Sequence, residues 1–92
     1  MDRLDKERHD LAKAEQDLVA GEERVTRQAL LVEELRRDGH DTSDAEDILA
    51  TLSRTLEEFR RHRELILAEI DRYRGERRQK QGAEATSDGR SS

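Results

Sequence analysis

Apolar residues recur at every seventh position in two separate blocks of this chain: Leu4, Leu11, Leu18, Val25 and Val32, then Ala45, Leu52, Phe59, Ile66 and Tyr73. A sustained seven-residue repeat marks α-helices that lay a narrow apolar stripe against a partner helix. Ile48, Leu49, Leu56 and Ile70 widen the second stripe. No proline interrupts either block, so the strongest helix breaker is absent from every interior position. Acid-to-base pairs four residues apart, such as Asp2 with Lys6, Glu23 with Arg27 and Glu57 with Arg61, favour helix by ~0.2–0.5 kcal/mol each.

Between the blocks lies Asp38-Gly39-His40-Asp41-Thr42-Ser43. Gly39 suits the left-handed residue that closes a helix. Ser43, three residues before Glu46, reads as a capping box, and Asp44, Glu46 and Asp47 suit a positive helix start. The pattern therefore predicts helix over about 3–38, a turn over 39–43 and helix over about 44–80. From Gly82 to Ser92 there is no periodicity, which predicts a disordered tail.

A fold-back at the turn brings the two stripes into register. Val32 then faces Leu52, Val25 faces Phe59, Leu18 faces Ile66 and Leu11 faces Tyr73. The intermediate layers pair Leu35 with Ile48, Gln28 with Thr55, Gly21 with His62 and Ala14 with Glu69. The expected fold is all-α, an antiparallel two-helix coiled-coil hairpin. One seam is a thin core for a 92-residue chain, and small scaffolds usually need a further staple. Val19, Leu30, Leu31, Leu65 and Leu67 fall off the seam and are the candidate contact residues for dimerisation into a four-helix bundle. Charge suggests the arrangement. Residues 33–47 carry seven acids and two bases and residues 71–80 carry five bases and two acids, so an antiparallel homodimer sets each acidic turn beside a basic end.

Composition excludes more than it assigns. With no cysteine, disulfides and thiolate metal sites are ruled out. The N-terminus is charged and lacks the apolar core of a signal peptide, and no apolar run could span a bilayer, so a cytoplasmic protein without membrane insertion is expected. A net charge of −5 argues against nucleic acid as the main partner. The basic stretch Arg72, Arg74, Arg77, Arg78 and Lys80 is the one candidate anion-binding surface, and acids interrupt it. Asp5 with His9 and Glu58 with His62 are four-residue helix-face pairs that miss the doubled Glu-x-x-His pattern of di-iron bundles. The acidic turn lacks the spacing of a calcium loop. No nucleophile, base and orienting acid converge, so no enzyme, cofactor or metal site is expected. The leading expectation is a non-catalytic interaction module that binds itself or another protein. The alternatives are an anionic-surface or nucleic-acid binder through the basic end, and a metal- or pH-responsive bundle around His62, with Glu22 nearby.

Gly21-Glu22-Glu23-Arg24-Val25-Thr26-Arg27-Gln28, Gly39-His40-Asp41-Thr42, Thr55-Leu56 and His62-Arg63 together form a G-E-x-R-x-x-R-Q, G-H-D-T, T-L, H-R series. Over about residues 21–66 this resembles a group of short bacterial helical-hairpin proteins that has no assigned activity. The resemblance implies a small bacterial cytosolic helical protein and carries over no functional residue.

Overall fold

The computed structural model describes residues 2–91, and of residues 80–91 the backbone only. It is all-helical among those residues: α1 (Arg3–Arg37) and α2 (Ser43–Ser91), packed along each other as an antiparallel hairpin. α2 continues past residue 80, where the sequence signals an end. Side chains beyond Gln79 lie outside the described residues, and over 82–91, where the sequence predicts a disordered tail, the backbone is helical.

The helix ends are satisfied by local chemistry. Asp2 caps α1, its carboxylate accepting the Asp5 N–H at 2.9 Å. At the other end Gly39 takes φ of +78°, the conformation in which a Cβ would meet the following carbonyl. The Gly39 N–H donates to the Arg36 carbonyl at 3.2 Å and the His40 N–H to the Leu35 carbonyl at 2.8 Å, the paired bonds of a Schellman closure. α2 starts differently from the expected capping box. The Ser43 N–H and hydroxyl both donate to Asp41 Oδ1, at 2.9 and 2.7 Å, while Glu46 turns to Arg36 across the turn. Asp41 thus does the work that the sequence pattern gives to Glu46.

The seam itself is where the repeat places it. Ala14, Leu18, Gly21 and Val32 are buried in α1; Ala45, Leu56, Ile66 and Ile70 are buried in α2. Leu4, Leu11, Val25, Leu35, Leu52, Phe59 and Tyr73 are half-buried along the same line. Helix spacing explains the set, since positions alternating three and four apart stay on one face.

The intermediate layers of α2 require a correction. They are Leu49, Leu56, Arg63 and Ile70, one residue later than the expected Ile48, Thr55, His62 and Glu69. Gly21 faces Leu56 and Phe59, where an added Cβ would come within 3.2 Å of a Leu56 methyl; His62 is exposed. Gln28 donates its side-chain amide to the Ala45 carbonyl at 2.9 Å, and Thr55 bonds back to Thr51 in its own helix. The physical reason is apolar content: positions 49, 56, 63 and 70 hold Leu, Leu, Arg and Ile where 48, 55, 62 and 69 hold Ile, Thr, His and Glu, so α2 turns the former set into the seam. Separately, the Schellman closure reverses the chain at Gly39–His40, earlier than a fold-back centred on Asp41–Thr42, which displaces α2 along α1.

Candidate interaction surfaces

Two flanks run beside the seam, and inter-helix ion pairs identify which residues lie on each. Arg36 meets Glu46 at 2.6 Å and Glu15 meets Arg63 at 3.7 Å on the first flank. Glu15, Glu22, Ala29 and Arg36 are spaced by heptads along α1, as are Glu46, Ser53, Arg60 and Leu67 along α2, so these two stripes share that flank. Midway along it lies a shallow groove of about 460 Å³ lined by Glu15, Leu18, Val19, Glu22, Arg60, Arg63 and Glu64. Val19 is 57% exposed at its edge, and Leu67 is half-buried on the same flank. Carboxylates and guanidiniums therefore enclose what apolar surface this flank has.

The second flank is marked by the Arg3–Glu69 pair at 3.2 Å, near the open end of the hairpin. Leu31 lies four heptads beyond Arg3, Ile48 three heptads before Glu69, and Leu65 one helical turn before Glu69. All three are exposed, at 42%, 51% and 62%. Leu31 and Ile48 stand at the same level near the turn, one on each helix. Among the described residues, Arg3–Glu69 is the only ion pair that crosses between the helices on this flank. Leu30, 53% exposed, is one residue from Leu31 and so about 100° around the helix, on the back of α1. The five candidate contact residues are thus not one patch: Val19 and Leu67 share the first flank, Leu31 and Leu65 the second, and Leu30 neither. Ile48, which the sequence assigned to the seam, joins the second; its exposure follows from the one-residue shift of the intermediate layers.

At the open end the basic residues are partly engaged within the hairpin. Tyr73 lies between two guanidinium groups, Arg3 at 5.4 Å and Arg77 at 5.9 Å from the ring centre. Arg72 is hydrogen-bonded to Glu69, whose carboxylate also accepts from Arg3. The Arg72 hydrogen bond, opposed by a smaller effect of burial and aided by Arg3, holds the Glu69 carboxyl below its ordinary value of 4.5 and raises Arg72 above its own. Arg74 and Arg78 are exposed; the Lys80 side chain lies outside the described residues. Among the described residues no three His, Cys, Asp or Glu side chains gather as a metal site, and no helix is long and apolar enough to cross a membrane. The inter-helix pairs made by Arg3, Arg36 and Arg63 escape a reading of single helices, because each joins residues far apart in sequence; heptad spacing with the correct register is the signal that finds them.

No family model matches the chain, and neither the curated proteins nor the solved structures contain a significant match.

Proposed function

We propose that this chain is a non-catalytic protein-interaction module of the bacterial cytoplasm, a helical hairpin that pairs with a second copy into a four-helix bundle and can offer its remaining surface to another protein. Unburied surface carries the reading. Five large apolar side chains, Val19, Leu30, Leu31, Ile48 and Leu65, stand 42–62% exposed. The body is only 14 Å across its thinnest direction, and among the described residues no large side chain is sealed to below 2% exposure. A hairpin one helix thick has a seam but no interior, and a second hairpin supplies the missing wall.

Light scattering across a hundredfold range of concentration tests this directly. A mass of two chains is expected; one chain at every concentration overturns the reading.

The rival with an observation behind it is anion binding at the open end, where Arg74 and Arg78 are exposed while Glu69 engages Arg72. Its signature is salt-sensitive retention of DNA or RNA that disappears when Arg72, Arg74, Arg77, Arg78 and Lys80 become Gln. A metal- or pH-responsive role for His62 loses its basis, because His62 is exposed and does not form a layer with Gly21.

A further inference from the structure

The two flanks are unequal, and their difference bears on how a second copy docks. This inference rests on the self-associating hairpin proposed above and goes on to its face and direction. The first flank is closed by Arg36–Glu46 and Glu15–Arg63, which lie over the seam near the turn and at mid-length. Covering them would desolvate four charges for little apolar gain. The second flank presents Leu31, Ile48 and Leu65 with its described inter-helix ion pair confined to the open end.

We propose that a second copy of this chain docks on the Leu31–Ile48–Leu65 flank with its turn at the opposite end, so that Ile48 of each copy packs against Leu65 of the other. Spacing and charge select this direction. A two-fold axis across the helices, placed midway between Ile48 and Leu65, stacks α2 antiparallel on the partner's α2. It sets the Leu31–Ile48 pad of each copy at the level of the other's Leu65. One heptad outward, Asp41 comes level with Arg72 of the second copy. The acidic turn, net −5 over residues 33–47, thereby lies level with residues 66–72 and meets the start of the basic stretch, net +3 over residues 71–80. The one like-charge meeting on α2, Asp44 with Glu69, is relieved because Arg3 and Arg72 already attend Glu69. With both turns at the same end, Ile48 would meet the partner's α1 instead, acidic turn would lie on acidic turn, and basic end on basic end.

Absence of native cysteine makes the geometry measurable by cross-linking. Ile48 and Leu65 are separated by about 25 Å along α2, whereas a disulfide needs Cα atoms within roughly 7 Å. Under mild oxidation at micromolar concentration, Ile48→Cys mixed with Leu65→Cys is expected to form a covalent dimer containing one of each, while either variant alone stays at one chain. Self-linking of either variant as fast as the mixture overturns the placement of the two-fold axis between the two residues. A mixture that fails to link although the unsubstituted chain has the mass of two overturns the opposed docking on this flank and leaves dimerisation standing. A mass of one for the unsubstituted chain removes the underlying reading instead. Charge insertion gives an independent measure: Leu65→Glu is expected to weaken self-association at least tenfold and Val19→Glu to leave it unchanged, and the reverse order overturns the proposal.

Discussion

Gly21 and His62 show how much one side chain's placement matters. As a glycine inside a long helix, Gly21 costs about 1 kcal/mol of helix propensity relative to Ala. It is tolerated because a Leu56 methyl and the Phe59 ring fill the space where a Cβ would stand, at 3.2 and 3.4 Å. Gly21→Val is therefore expected to lower stability by about 1–3 kcal/mol in thermal melts followed by circular dichroism, through overpacking. His62→Ala should move the same melt by less than about 0.5 kcal/mol, since the ring is exposed. Had His62 been the residue facing Gly21, the second substitution would have been the costly one. Glu69 supplies a prediction in pH. Its folded-state carboxyl lies below the ordinary 4.5, chiefly through Arg72 and further through Arg3, and Asp41 lies below 3.8 through Ser43. A depressed carboxyl stabilises the fold above its unfolded value and loses that contribution as pH falls through its folded value. The melting temperature should therefore decline as pH drops below about 4.5, and the decline should be shallower in Glu69→Gln.

The helices and their turn are the scale at which sequence reading does best and then stops. Heptads at Leu4 through Val32 and Ala45 through Tyr73 identify both helices, because a period of seven repeated five times has one physical solution. Gly39 marks the turn, and its φ of +78° makes Gly39→Ala costly by about 1–2 kcal/mol, readable as a lower melting temperature with unchanged helix content. The offset between the helices was not legible. A seven-residue repeat looks the same after one helix slides by a heptad, so Val32 facing Leu52 satisfies the pattern as well as the true arrangement does. Only non-repeating features separate the choices: the small residue at Gly21, the Arg36–Glu46 bridge and the Gln28 bond to the Ala45 carbonyl. Ile48 marks a separate ambiguity, of rotation rather than offset. Its apolar side chain suggested the seam, and a shift of one position leaves it half exposed beside Leu31.

For the whole molecule the question is how a body 81 Å long and 14 Å thick stays folded. Its radius of gyration, 22.4 Å, compares with about 12 Å for a globular chain of this length. Stability that depends on a second copy must depend on concentration. A tenfold rise in chain concentration should raise the melting temperature by roughly 3–6 °C for a dimer of this size, and a concentration-independent melt is the contrary result. The sequence indicated that leftover leucines existed, but their grouping into flanks follows from which side of the seam each helix turns outward. Residues spaced like Val19 and Leu31 cannot be told apart until the Arg3–Glu69 and Glu15–Arg63 bridges fix the two sides.

The Tyr73 ring, with two guanidiniums against it, has an optical consequence. With no tryptophan and a single tyrosine, ultraviolet emission from this chain originates at one phenol, placed where the first turn of α1 lies against α2. Its light reports the ends coming apart, while the amide signal reports the helices themselves. Two traces recorded in one cuvette can therefore distinguish a hairpin that unzips from its tips from one that dissolves all at once.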